Sequence, residues 1–475
     1  MAIALVALTV ALRFLAPHHL LPQYAHLPLV PVTTGLMFLA ALVGLLRRTV
    51  TLRLTPQLLA QVALLLWVAV CAVIDDGAAG LGIVKKTYPL DLVYVATVMM
   101  VVDRVSRLKI VAGVAIGCFV VIGALALPQV WGDRFCAEWK EGDMANLRFD
   151  GRPCAETTDC FRNQPKERLF PGIGPRNFRC ERRGPFGVAA YVGRVRWVGL
   201  FHDSNNLGSS MSLVVPLAIA LLWGGRSRWA RWSWPPLVLF LTGVVFVTGS
   251  RGAQLGLVIG LGAVAWGLWG RRAVAIGGAL GVVALVAALA VGKLNLRAES
   301  KFEASTEVSD RYRRDAMSVG YRLWGANPLF GVGHQNFESF HIIDPHNAFL
   351  CVAAEAGTGG LLVYALGVWL TLRAGIWARR RARQAGRADL QRLATGVLAS
   401  TIGGTLSLTL FLSTYDKLSW LFPICYTTGL VRAVEQELPG EKFRLVPLDP
   451  AISTAGSLVL VGVIYVVLLF TYTVS

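Results

Sequence analysis

The chain has 475 residues, of which 55% are hydrophobic and only 16% charged, and its formal net charge is +18. Soluble domains carry roughly 25% charged residues, so this composition excludes a soluble globular enzyme and defines a polytopic membrane protein. The positive charge does not signal nucleic acid, because basic residues fall in short clusters between apolar runs, the pattern of the positive-inside rule.

Thirteen apolar spans begin near residues 2, 28, 55, 89, 108, 206, 235, 252, 273, 348, 393, 418 and 453. Each runs roughly 15–24 residues, close to the ~20 that cross ~30 Å of hydrocarbon. The first span imitates a signal peptide but lacks a basic start, so it reads as a membrane helix. With the N-terminus in the cytoplasm, the cytoplasmic connections hold 21 basic residues, Arg53, Arg107, Arg271, Arg272 and Arg432 among them. The short outer connections hold only four, Lys85, Lys86, Arg251 and Lys417. That asymmetry sets the expected orientation. No internal repeat or low-complexity tail is visible, and the run Arg379-Arg380-Arg381-Ala382-Arg383 reads as a topology anchor facing anionic headgroups. The expected fold is an all-α integral membrane bundle of about 12–13 transmembrane helices, one membrane domain over 1–475, with two long extracytoplasmic loops.

The first of these loops, 129–205, carries Cys136, Cys154, Cys160 and Cys180, while the other four cysteines lie in apolar spans. An even set outside the membrane predicts two disulfides in an oxidising compartment, with three pairings open. A zinc site is the rival reading, but no Cys-x-x-Cys spacing supports it, so no metal is expected. At the end of this loop, Phe201-His202-Asp203-Ser204-Asn205-Asn206 supplies good helix caps for the sixth span.

Charge inside an apolar span costs ~3 kcal/mol or more at a helix centre and needs a reason. Four ionisable groups lie in or at the edge of the spans: Arg13, Asp91, Arg251 and Glu355. All four fall nearer the outer face, as do the seven histidines. Arg251 sits in Thr248-Gly249-Ser250-Arg251-Gly252, between two spans with almost no loop. Its planar fork suits phosphate oxygens, and the bland alternative is a snorkelling side chain at a tight turn.

The second loop, 292–347, holds seven acidic and seven basic residues. Asp310-Arg311-Tyr312-Arg313-Arg314-Asp315 leads into apolar positions at helical spacing, predicting a helix on the membrane surface that ends near Gly325. Asn327-Pro328 then opens a Gly331-Val332-Gly333 turn. At Asp344-Pro345-His346-Asn347 the polar stretch gives way to an apolar helix. His346 can hold or move a proton there, and Asn347 can cap the helix. Glu355 follows about 2.5 turns later and can orient a ligand or neutralise Arg13 or Arg251. The glycines at 357, 359 and 360 permit close helix packing. His334 and His341 read as ordinary loop residues.

Taken together, the Gly-Ser-Arg-Gly motif, the Asn-Pro-x-x-Gly-x-Gly turn, Pro345-His346-Asn347 and Glu355-x-Gly resemble the O-antigen ligase and polymerase family, also called the Wzy C-terminal family. The motifs span about 248–360. The resemblance implies a GT-C-like enzyme of the bacterial inner membrane. It would transfer glycan from an undecaprenyl diphosphate-linked oligosaccharide donor to a saccharide acceptor. Arg251 is then the expected diphosphate ligand. Arg313 matches the family's second arginine by its distance to Pro328, although Met317 stands where a tryptophan is usual, so Arg311 and Arg314 stay open. His346 is the expected catalytic base, with Arg251, Arg313, Arg314, Asn347 and Glu355 as substrate-binding candidates. Family polymerases often carry an Asn-bearing stretch like 201–208, which favours repeat-unit polymerisation over ligation to lipid A-core or protein. The expected partners are the donor, the acceptor and the bilayer, with a flippase and a chain-length regulator as possible further ones, and no nucleic acid. No nucleotide, P-loop or metal motif calls for a cofactor. No glycosidase-like carboxylate pair is present, so an inverting, metal-independent transfer is expected. The competing class is a flippase for lipid-linked oligosaccharides, which should show two related halves and a charged central cavity.

Overall fold

The computed structural model describes residues 1–20, 27–51, 53–140, 143–161, 178–190, 193–198, 201–223, 228–275, 277–278, 300–341, 343–410, 418–438, 440 and 442–443. Its helices are α1 (Ala2–Leu15), α2 (Pro17–Leu20), α3 (Leu29–Leu46), α4 (Pro56–Asp76), α5 (Ala78–Val101), α6 (Val105–Ala126), α7 (Ser204–Trp223), α8 (Arg228–Val247), α9 (Arg251–Trp269), α10 (Ser300–Ala326), α11 (Ala348–Gln384), α12 (Ala388–Leu410) and α13 (Leu418–Glu437). Six of the described helices are long and apolar enough to cross a membrane, and shorter apolar helices occupy 2–15, 89–101 and 232–247. The protein is a multi-pass helical membrane protein. Two expected spans, most of that near 273 and all of that near 453, lie outside the described residues. One boundary differs from expectation. The span expected from residue 89 belongs to a helix that starts at Ala78, with Pro89 inside it and Lys85 and Lys86 within its first half.

Two packed groups make the bundle: α7, α9 and α12 pack mutually, and α11 lies on α12 and on α4, which also packs on α5, while α1 lies on α3 and α6. In lipid, apolar side chains gain little from meeting one another, so close backbone approach must supply the attraction. At the α9–α12 contact a Cβ on Gly403 would stand 2.4 Å from the Gly256 carbonyl oxygen, so only glycine fits.

The connections sort into two ends. At one end the last turns of α13 gather three connections. Arg432 donates to Met99 O at 2.6 Å and Thr51 Oγ1 at 2.7 Å. Arg387 reaches Glu437 at 2.9 Å, and Glu435 pairs with Arg53. At the other end, Trp197 Nε1 donates to Leu15 O at 3.2 Å, Gln129 Nε2 to Arg196 O at 2.8 Å, and Asn336 Nδ2 to Asp75 Oδ2 at 2.5 Å. Among the described residues, the connections after α1, α4 and α6 lie at the second end and those after α3 and α5 at the first, as successive membrane crossings require.

The second end also carries an element that helix periodicity did not predict. Strands β1 (Arg134–Lys140), β2 (Asp143–Pro153) and β3 (Phe178–Arg182) form an antiparallel sheet in the order β2-β1-β3. Cys136 bonds to Cys160 and Cys154 to Cys180, which fixes one of the three open pairings. So small a sheet has little core of its own, and the disulfides restrict its unfolded chain instead.

Candidate functional site

The arginine cluster is built from three separated stretches. Gly249, at φ +63°, turns the chain between α8 and α9, and Ser250 caps α9 by accepting from Ala253 N at 3.3 Å. This puts Arg251 on the exposed first turn of a helix, where the dipole and unpaired N–H groups favour an anion. A Cβ on Gly249 would lie 3.2 Å from Arg194 Nε, so the glycine admits a second guanidinium. Arg194 donates from Nε to Thr248 O at 2.8 Å and from Nη2 to Asn205 Oδ1 at 2.7 Å. Burial lowers its pKa from the ordinary arginine value. The charges of Arg313 and Arg251 act in the same direction, and Asp203 opposes them. Three like charges held this close, with one carboxylate nearby, make a site that favours a multiply charged anion.

Arg194 was missed in the sequence. It lies in a loop held by Gln129 and Val247, far away in the chain, and no local pattern marks it. Asn205, read there as a helix cap, is its anchor. Asp203 takes the capping role, accepting from Asn205 N at 2.8 Å. Of the neighbouring arginines on α10, Arg313 is half-buried and acts on Arg194, whereas Arg314 is exposed. The side chain of Arg311 lies outside the described residues.

His346 stands in the left-handed region at φ 52°, unusual for a non-glycine residue. Its Nδ1 lies 2.8 Å from Asp344 O. A carbonyl only accepts, so Nδ1 carries the proton and the neutral ring keeps its lone pair on Nε2. That is the tautomer a general base needs. Asn347 is buried and caps α11, accepting from Leu350 N at 3.1 Å. The His346 loop is tied to α10 twice. His341 Nε2 meets Asp315 at 3.2 Å, and Gly320 packs against Leu350 with 3.0 Å for an added Cβ. Helix α10 thus carries Arg313 against the loop that carries His346.

Helix α11 is broken at Gly357, where φ is +65° and ψ −168°. The turn at 327–333 fills the break. Val332 N donates to Ala354 O at 2.9 Å, Gly333 N to Glu355 O at 3.0 Å, and Thr358 N to Pro328 O at 2.8 Å. Trp67 on α4 donates to Ala356 O at 2.8 Å and stacks on Phe330 with centroids 5.7 Å apart. The half-helix 348–356, which follows His346 and its cap Asn347, is therefore held at both ends. A Cβ on Gly359 would stand 2.2 Å from the Trp67 ring, in keeping with the packing expected of these glycines.

Glu355 was expected to orient a ligand or to neutralise Arg13 or Arg251. Glu355 is buried against His334, with Oε2 3.5 Å from Nδ1, and His334 is buried too rather than an ordinary loop residue. Arg13 pairs instead with Asp91 at 2.5 Å and lies over the Tyr94 ring at 4.3 Å. The physical reason is position: α1 packs on α5 and brings Arg13 to Asp91, while the 327–333 turn carries His334 onto α11.

A helical membrane bundle with an arginine cluster and a histidine loop at one end defines the class. Residues 236–365 match the family model described as O-antigen ligase, so over this stretch the chain is similar to that family. The matched stretch includes Arg251, Arg313, the broken helix and His346. No curated protein matches the chain.

Proposed function

We propose that the protein transfers glycan from an undecaprenyl diphosphate-linked oligosaccharide to a sugar hydroxyl on the extracytoplasmic side of the bacterial inner membrane. In this reading Arg194, Arg251 and Arg313 hold the diphosphate. The acceptor oxygen attacks the anomeric carbon as His346 Nε2 takes its proton. The bond from that carbon to the diphosphate oxygen breaks, and the polyprenyl diphosphate leaves as an anion stabilised by the arginines. Direct attack inverts the anomeric configuration. The observation that carries the reading is that Arg194 is tied to Thr248 and Asn205 beside Gly249, two residues from Arg251, at the end of the bundle where the His346 loop lies.

The acceptor we infer is the donor's own kind of repeat unit, which makes the protein a polymerase of a surface polysaccharide. The purified protein given only a lipid-linked repeat unit should then yield a ladder of longer glycans. If nothing forms until core lipid or a protein acceptor is added, the reading changes to ligase or protein oligosaccharyltransferase.

A further inference from the structure

A second cluster lies at the opposite end of α9, about 27 Å from Arg251 by the rise of a 19-residue helix. The rings of Trp223, Trp234 and Trp269 meet there, with centroids 5.0 Å apart for Trp223–Trp269 and 5.5 Å for Trp223–Trp234. Arg271 lies over the Trp266 ring at 5.7 Å, and Arg271 and Arg272 are both exposed. Trp266 is 57% exposed and Trp232, on the first turns of α8, is 77% exposed. Large aromatics at the end of a spanning helix seat themselves at the glycerol level of a leaflet.

The charge pattern is one-sided. Between Asp203 and Glu299 the sequence has no acidic residue, while Arg228 and Arg231 on the first turn of α8 and Arg271 and Arg272 just after α9 fall at this end. A patch that only anchors topology needs basic residues but no tryptophan cage. A partner protein would be expected to bring acidic groups to an exposed flat surface. Here the Arg271 guanidinium stands over the Trp266 indole at the end of a spanning helix, the arrangement that suits a phosphate carrying acyl chains.

We propose that this cluster binds the headgroup of an anionic phospholipid in the leaflet opposite the arginine site, with Arg271 and Arg272 on its phosphate and Trp223, Trp234 and Trp269 along its glycerol. The test uses the full-length protein in neutral detergent, with native mass spectrometry and thermal unfolding as readouts. Phosphatidylglycerol should bind and raise the unfolding temperature, whereas phosphatidylcholine and inorganic phosphate should not. Arg271→Gln/Arg272→Gln should reduce phosphatidylglycerol occupancy several-fold. Arg47→Gln/Arg48→Gln, an equal charge loss at another connection of the same end, should leave it unchanged. The proposal is overturned if phosphatidylglycerol does not bind the parent or phosphatidylcholine stabilises it equally. It is also overturned if the Arg271/Arg272 glutamine variant binds like the parent, or if the Arg47/Arg48 variant loses as much.

Discussion

At the scale of single residues, the proposed chemistry rests on how three arginines and one histidine are held. Arg194 is fixed through both Nε and Nη2, so losing its charge removes part of the anion site without removing a wall of the bundle. Arg194→Gln should weaken binding of a polyprenyl diphosphate about 10- to 100-fold, the 1.5–3 kcal/mol typical of a hydrogen bond to a charged group. Titrating a fluorescent polyprenyl diphosphate checks this, and parental affinity in the variant would remove Arg194 from the site. Arg251→Lys should also bind poorly, because lysine offers a point charge where arginine offers a fork. Arg251, His346 and Arg313 could be proposed from the sequence because each stands in a compact local motif. Arg194 could not, because its role depends on Asn205 and Thr248, which only the folded chain brings to it. The Glu355–His334 contact was hidden for the same reason.

At the scale of elements, the broken helix decides how rigidly His346 is presented. Gly357→Ala should be damaging on two counts. Its left-handed backbone costs a β-carbon about 1–2 kcal/mol, and that carbon would sit 2.2 Å from Leu329 O. A lowered unfolding temperature with lost transfer activity is expected, and a variant as stable as the parent would argue against the break. Trp67→Phe keeps the ring on Phe330 but removes the hydrogen bond to Ala356 O. It should lower kcat more than it changes donor affinity, since Trp67 holds the histidine half-helix and not the arginines. Equal loss in both would make Trp67 a general stability residue. The glycines at 357–360 were legible as a packing device, but a positive φ at one of them leaves no mark in the sequence. Strand β1 shows no clean period of two, since Phe135, Cys136 and Ala137 are all apolar and Glu138 is buried, so the sheet is legible only in the folded chain.

At the scale of the whole molecule, the helix content and its alternation between two ends were legible. Apolar length and basic clusters report directly on crossing a bilayer. The contacts that gather Arg53, Arg387 and Arg432 at one end and the disulfide sheet at the other follow that alternation. A reporter fused after Arg383 should therefore lie in the cytoplasm, and one inserted near residue 155 outside it. The reverse labelling would move the arginine cluster to the wrong compartment for an exported glycan. The central claim, that arginines hold the diphosphate while His346 moves the proton, is tested most directly by separating binding from turnover in one variant. His346→Ala, purified at parental yield, should bind a polyprenyl diphosphate-linked oligosaccharide with parental affinity yet release no polyprenyl diphosphate when acceptor is supplied. Release at close to the parental rate would contradict the account.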